Sequence, residues 1–324
     1  FNALRERYGN KIAPLAVPMW DEDKHTTGLI DVLNKRAFEL QDYKGVEVEI
    51  PAEKADVVAE FNEALKESVA ETSEEMMDKY FSGESFPYPE MIRGLRQGVR
   101  ELSMFPVFFG SAINCMGSLM LMDYIVDLLP NPMEGNYHKA TTQDGESEPF
   151  VVSPGGVPTA FVFKTVSDQY GKYSYVKVIN GPLTGDAPLT NSRTGDSEKM
   201  GRMYIMRGKK SIEEVKSIAT GDIGAIAKMD KLKTNDTISA KGVALNPIPF
   251  AEPVFSKAIA PKTRGQEDKI GIGLNRLNEE DPSFSVTNNS ETHQMVVAGA
   301  GDIQLDVLVS KLKSRFSVEA VLDT

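Results

Sequence analysis

The sequence predicts a multidomain chain that joins an α/β part, an all-β part and an α+β part. Three observations predict it. An apolar run, Phe105-Pro106-Val107-Phe108-Phe109-Gly110-Ser111-Ala112, reads as a buried strand closing in a small, tight turn. A helix with one apolar side follows it directly, and strand, small-residue turn, helix is α/β grammar. Between 158 and 245 the apolar residues alternate with period two and turn residues punctuate them, the pattern of a β-barrel. From 254 to 321 the order of patterns is β-α-β-β-α-β, the split βαβ sandwich.

Composition narrows the function classes. The chain has 324 residues, 41% apolar and 26% charged, enough to bury several cores without a disulfide or metal staple. Its net charge of −11 argues against a chain built purely to grip nucleic acid or an anionic membrane. The longest apolar run falls far short of the ~20 residues a membrane helix needs, and no leader pattern opens the chain. A single cysteine, Cys115, forbids an internal disulfide and suits a reducing compartment. With only three histidines, His25, His138 and His293, a dense zinc site is ruled out. The chain opens without Met, on what reads as the end of an amphipathic helix (Phe1 to Tyr8), and stops in a strand-like run at Thr324. It is therefore expected to be an excised fragment, with catalytic motifs outside it.

In chain order, the run from Lys11 to Pro18 reads as a short buried strand. From 28 to 105 there are 17 acidic and 9 basic side chains, so most of the excess negative charge sits in this segment. Within it Val58, Phe61, Leu65, Val69, Met76 and Tyr80 recur at helical spacing, with Glu60, Glu63, Glu67 and Glu71 outside the stripe. A solvated helix face and an acidic docking surface both fit those glutamates. The helix after Ala112 carries Met116, Leu119, Met120, Tyr124, Ile125, Leu128 and Leu129 on its apolar side, and Pro130-Asn131-Pro132 stops it. Residues 136–157 read as turn and linker. Strands are predicted at Phe161–Val166, Ser174–Ile179, Arg202–Met206 and Gly224–Ala227, separated by Asn180-Gly181, Thr194-Gly195-Asp196 and Gly221-Asp222. The segment 141–250 has 14 basic and 12 acidic residues, and Lys164, Lys172, Lys177, Arg202, Arg207, Lys209 and Lys210 are candidates for a basic face. The last segment carries a strand near Val254–Pro261 and a helix at 264–281 with Ile270, Ile272, Leu274 and Leu277 apolar. A hairpin around Asn288-Asn289 comes next, then a helix from Asp302 with Ile303, Leu305, Leu308, Val309 and Leu312 inward, and a final strand at Val318–Val321.

No Gly-x-x-x-x-Gly-Lys-Ser/Thr phosphate loop is present. Gly271-Ile272-Gly273 lies within a helical pattern and is no dinucleotide fingerprint. Gly299-Ala300-Gly301 opens a helix and suits a tight turn better than an anion cradle. The sequence offers no active site of its own.

These pieces, in this order, resemble translation elongation factor G. Pro106-Val107-Phe108-Phe109-Gly110-Ser111-Ala112-Ile113-Asn114 resembles the family's fifth guanine-nucleotide motif, and 117–132 the helix that closes its G domain. Gly28-Leu29-Ile30-Asp31-Val32-Leu33 is similar to the start of the insertion in that domain. Ala219-Thr220-Gly221-Asp222-Ile223-Gly224-Ala225 and Asn235-Asp236-Thr237 are similar to its second domain. Glu252-Pro253-Val254, Leu277-Asn278-Glu279-Glu280-Asp281-Pro282-Ser283-Phe284 and 299–305 are similar to its third.

The resemblance implies five segments. These are two pieces of a partial P-loop GTPase G domain (1–27 and 106–140), an acidic α/β insertion (28–105), a translation-factor β-barrel (141–250) and a ferredoxin-like βαββαβ domain (251–324). It implies a cytoplasmic, ribosome-associated GTPase that uses GTP/GDP and Mg2+ at full length. The fragment itself is expected to be monomeric, to lack the phosphate loop and switches, to bind no nucleotide tightly, and to contact neither membrane nor DNA. Ser111 and Ala112 would pack on guanine through their backbone, which suits small residues. Glu60, Glu63, Glu67 and Glu71 would face the ribosomal stalk protein, and Lys164, Lys172, Lys177 and Arg202 the phosphates of ribosomal RNA. Where the family commonly carries Gly-Met-Gly-Glu-Leu-His, this chain has Gly299-Ala300-Gly301-Asp302-Ile303-Gln304. Translocation, a recycling or protection role of a paralogue, and a non-catalytic adaptor all stay open on the sequence.

Overall fold

The computed structural model describes residues 1–42, 44–134, 139–141, 147–168, 171–208, 211–240 and 243–323, and falls into two units, Phe1–Gly135 and Asn136–Thr324.

The first unit contains α1 (Asn2–Tyr8), β1 (Ile12–Pro14), β2 (Ala16–Trp20), β3 (Thr26–Asp31), β4 (Arg36–Gln41), β5 (Lys44–Val48), α2 (Ala55–Ala70), α3 (Glu74–Phe81), α4 (Tyr88–Arg100), β6 (Phe105–Val107) and α5 (Ser118–Leu128). The apolar run predicted as one strand at 11–18 is shared between two sheets. Its first half, β1, pairs in parallel with β6. The buried Leu15 is the crossing point: its N–H donates to Val107 O (2.8 Å), and its carbonyl accepts from Val32 N (3.1 Å). Its second half, β2, opens an antiparallel sheet in the order β2-β3-β4-β5. The boundary expected at 27/28 thus falls inside β3.

The helical stripe from Val58 to Tyr80 is two helices rather than one. Ser73 restarts the chain as an N-cap, its Oγ accepting from Met76 N (3.2 Å), while Thr72 Oγ1 donates back to Val69 O (2.6 Å). Val58, Leu65, Val69 and Met76 join Ala13, Leu15, Leu95 and Tyr124 in one core. The strand expected to be buried at 105–112 is short, and Phe105 is 46% exposed, because among the described residues β6 has β1 as its one sheet neighbour. On α5, Tyr124 and Leu128 are buried, but Leu119 (75%), Ile125 and Leu129 are exposed, so only half of the predicted apolar side is covered.

The second unit begins with β7 (Lys139–Thr141), β8 (Ser147–Pro149), β9 (Thr159–Asp168), β10 (Gly171–Asn180), β11 (Leu183–Thr184), β12 (Leu189–Asn191), β13 (Ser197–Glu198), β14 (Met203–Arg207), β15 (Ser211–Val215), β16 (Ser217–Ile218), β17 (Ile223–Ala227), β18 (Thr237–Ser239) and β19 (Ala244–Leu245). Eight of these form an antiparallel sheet in the order β13-β12-β18-β9-β10-β17-β14-β15, and β11 pairs with β16. Among the described residues no strand pairing joins β13 to β15. The sheet nonetheless curls, because Leu189 near one end and Met203 near the other share a core with Val162, Val176, Leu183, Ile218 and Ile226. The segment read as a linker contributes β7 and β8, which pair with each other, β7 also pairing with β19. Gly181 makes the β10–β11 turn with φ of 57°, where an added Cβ would collide with Gly156 O.

The unit ends with β20 (Phe255–Pro261), α6 (Glu267–Glu280), β21 (Ser285–Asn288), β22 (Met295–Gly299), α7 (Asp302–Phe316) and β23 (Ala320–Asp323). The sheet order β21-β22-β20-β23, antiparallel throughout, is that of the predicted split βαβ sandwich. Its core holds Ile270, Leu274, Leu277, Leu305, Leu308 and Leu312. Ile303, expected inward, is exposed, as is the apolar Ile272: neither shares the i, i+3/i+4 phase of those buried residues.

Candidate functional site

The turn after β6 is built from backbone. Ser111 and Met116 exchange two hydrogen bonds, N–H to O in each direction at 3.0 Å. The four residues between them bulge outward, with Ala112, Asn114 and Cys115 exposed and Ile113 89% exposed. The loop closes through residues of positive φ, Cys115 (56°) and Gly117 (76°). At Gly117 a Cβ would press on the Leu29 and Phe108 side chains. The Ser111 N–H is committed to Met116, and Ser111 Oγ faces Asn114 N at 3.4 Å. The buried Met116 anchors the loop.

A cavity of about 850 Å3 adjoins the turn, between the β3–β5 face and α5. Asp31, 5% exposed, accepts from Tyr124 Oη (2.5 Å), Asn34 N (3.0 Å) and Asn34 Nδ2 (2.8 Å). Tyr88 Oη donates to Asp127 Oδ2 (3.0 Å). Burial, reinforced by the Asp127 carboxylate, pushes the Tyr88 phenol up to about 12. Burial and Asp31 push Tyr124 higher still. Both phenols therefore stay protonated donors near neutrality and tie α4, α5 and β3 together. No signal in the sequence pointed to this cluster, because its members come from separate elements. Among the described residues, no group of three or more His, Cys, Asp or Glu could hold a metal ion.

The four glutamates of α2 and its C-terminus differ in their company. Glu60 and Glu71 are exposed. Glu63 pairs with Lys66 (2.9 Å), which holds its carboxyl below the ordinary range. Glu67 faces Arg5 (3.6 Å) and accepts from Asn10 Nδ2 (3.4 Å).

The basic candidates are also divided. Lys164 is exposed and Lys177 half-buried. Arg202 lies 3.6 Å from Glu214, and Arg207 3.8 Å from Glu213. Lys209 and Lys210 lie outside the described residues. Lys172 corrects the expectation of a surface contact. It is 8% exposed, with its Nζ donating to Glu279 Oε2 (2.7 Å) and Asp230 O (3.1 Å). Strand phase explains this: Lys172 alternates with the buried Ser174, Val176 and Val178, whereas Lys177 alternates with Tyr173 and Tyr175 on the other face.

Residues 158–241 match the family model described as Elongation factor G domain 2, and residues 250–324 match the one described as Elongation Factor G, domain III. The chain is an elongation factor G-like protein. A crystal structure of a protein from Thermus thermophilus aligns with it at a TM-score of 0.83 and 26% identity, over 99% of this chain and 46% of that one. The elongation factor G-like chain thus spans less than half the length of that relative.

The two matched segments of the elongation factor G-like chain meet at the C-terminus of α6. Thr165 Oγ1 and Thr234 Oγ1 donate to Glu279 O (2.5 and 3.0 Å). Ser167 N donates to Glu280 Oε1 (2.7 Å), whose carboxylate also receives Arg315. A carbonyl that the helix leaves unpaired is therefore capped from the neighbouring sheet. Gln304 makes a tie within the second matched segment: its Oε1 accepts from Ala300 N (2.6 Å) and its Nε2 donates to Ser283 Oγ (2.9 Å). One neutral amide supplies the acceptor and the donor at once, so this tie does not titrate.

Proposed function

We propose that the intact protein is a ribosome-associated GTPase of the elongation factor G type, acting in tRNA and mRNA translocation, and that this chain is its ribosome-facing middle. The observation that carries the reading is the order of the two matched segments, domain 2 at 158–241 and then domain III at 250–324, behind a stretch at 106–114 that resembles the family's guanine-nucleotide motif. The turn fits one part of a guanine nucleotide. Ser111 and Ala112 offer a base edge a close backbone approach, while the 324 residues contain no phosphate loop to hold phosphates or Mg2+. The nucleotide's phosphates and its metal do not fit the residues of this chain, and no hydrolytic step is assigned to them.

What the chain's own residues do is bind and hold. The glutamate row Glu60, Glu63, Glu67 and Glu71 offers negative charge to a basic surface of the stalk protein. Lys164, Lys177 and Arg202 meet ribosomal RNA phosphates without reading sequence. The Thr165/Thr234/Lys172 grip on α6 carries movement of one segment to the next. Gln304, in place of the family's common histidine, favours as a second reading a paralogue that works in ribosome recycling or protection.

Two measurements test the proposal. Isothermal titration of residues 1–324 with Mg-GTP should show no tight binding; tight binding would overturn the assigned boundaries. Polypeptide synthesis with the full-length protein replacing the housekeeping factor should proceed; no synthesis alongside intact ribosome-stimulated GTP hydrolysis would select the paralogue.

A further inference from the structure

A bulge in β9 builds a surface that the sequence pattern did not reveal. Opposite Tyr175 of β10 the register shifts, so that Lys164 faces Tyr175, Val162 faces Val176, and Phe163 is the extra residue. Val162 and Thr165 are fully buried, while Phe163 is half-buried and Lys164 exposed. The bulge therefore turns two adjacent side chains, a ring and an ammonium, to the same outer face, a re-aiming that bulges characteristically perform. The Phe163 and Tyr175 rings lie 6.4 Å apart at 57°. Further along the face, Tyr173 and Tyr204 lie 6.1 Å apart at 72°. They meet across β17, where the small Ala225 and Ala227 sit in register with Tyr175 and Tyr173 and leave room for the rings to close over the strand. Lys177 follows Tyr175 on the same face.

The charge on this face runs against the rest of the protein. Within a chain of net charge −11, Lys164 and Lys177 have no ion-pair partner among the described residues, whereas Arg202 and Arg207 are faced by Glu214 and Glu213. Cations without counter-charges among tilted aromatic rings fit a polyanion that brings flat, unstacked rings of its own. A duplex offers only phosphates there, because its bases are stacked inside. We propose that the outer face of β9, β10, β17 and β14 binds single-stranded RNA, unpaired bases stacking on Phe163, Tyr175 and the Tyr173–Tyr204 pair while Lys164 and Lys177 take the flanking phosphates. This rests on the proposed contact with ribosomal RNA and names its chemistry: unpaired nucleotides, held by ring faces as well as by charge.

The test is fluorescence anisotropy of the 324-residue chain with an end-labelled oligoadenylate of about ten nucleotides and with an RNA duplex of the same length, over a range of salt. The single strand should bind at least about tenfold more tightly than the duplex. Phe163→Ala and Tyr175→Ala should each weaken it roughly tenfold, within the range that base–aromatic stacking supplies. Tyr175→Phe, which keeps the ring, should restore binding and separates loss of stacking from loss of fold. The double change Lys164→Gln and Lys177→Gln should flatten the logarithmic salt slope by about 1.4, from two fewer phosphates on a single strand. Equal affinity for duplex and single strand, with the alanine variants unaffected and the glutamine pair defective, overturns the stacking inference and leaves the phosphate contact standing. Absence of RNA binding by the unaltered chain overturns both. Unchanged RNA affinity of Phe163→Ala with loss of ribosome co-sedimentation overturns the inference in favour of a protein partner.

Discussion

Replacing Lys172 with methionine distinguishes a structural lysine from a surface contact. The side chain is almost fully buried, and its Nζ sits 2.7 Å from Glu279 Oε2. At an effective dielectric of about 20, two unit charges at that distance attract by about 6 kcal/mol, much of which is offset by the cost of removing them from water. Breaking a buried pair by deleting one partner costs about 3–5 kcal/mol, because the surviving charge is left stranded. The Glu279 side chain keeps 29% of its exposure and recovers part of its hydration, so the expected cost is about 2–3 kcal/mol. Methionine preserves the apolar stem, which confines the effect to the ammonium. Urea unfolding followed by far-ultraviolet circular dichroism would measure it, and a double-mutant cycle with Glu279→Gln should return a coupling of about 2 kcal/mol. RNA affinity should not change once unfolded protein is corrected for. A destabilisation below about 0.5 kcal/mol, the ordinary range for surface substitutions, together with weakened RNA binding, would refute the reasoning and return Lys172 to the surface set.

Two further outcomes are expected. Asp236 is 2% exposed and accepts from Arg193 Nε (2.6 Å), Asn191 Nδ2 (2.9 Å) and Lys233 N (2.9 Å); Asp236→Asn should cost about 3 kcal/mol, read as a lower melting temperature, and an unchanged melt would contradict the network. The raised Tyr88 and Tyr124 phenols add stability that is complete below the ordinary tyrosine pKa of about 10 and is lost as pH climbs through the folded value, about 12 for Tyr88. Urea midpoints should therefore fall across that interval, and Tyr124→Phe should shallow the fall; parallel slopes for both proteins would show that the phenols do not set it.

How much of this was legible beforehand can be argued from particular residues. In the last domain every predicted element exists in the predicted order, since each rests on local periodicity: Ile270, Leu274 and Leu277 mark one helix, Leu305, Leu308 and Leu312 the other. The misplacement there is Ile303, an apolar residue out of phase with its stripe. In the first unit the helical stripe from 58 to 80 was readable, but its division at Thr72-Ser73 was not, because one cap outweighed the continuing pattern.

The candidate sites divide the same way. The turn at Ser111–Gly117 is local chemistry, carried by small residues in sequence, and it was visible there. The phase of Lys172 with Ser174, Val176 and Val178 was equally local, and a strict period-two count would have moved it off the surface. Its partner was not, since Glu279 lies in another domain and nothing in either neighbourhood names the other. By itself, then, the amino-acid order determined which segments become helix or strand, where acidity concentrates and which turns are tight. Tertiary structure alone decided that β1 pairs with the sequence-distant β6, that Asp31 is enclosed by Tyr124 and Asn34, and that a bulge aims Phe163 and Lys164 outward together. The physical reason is range. Periodicity and capping act within a few residues, whereas burial of a charge or the register of a ladder depends on which distant surfaces exclude water together.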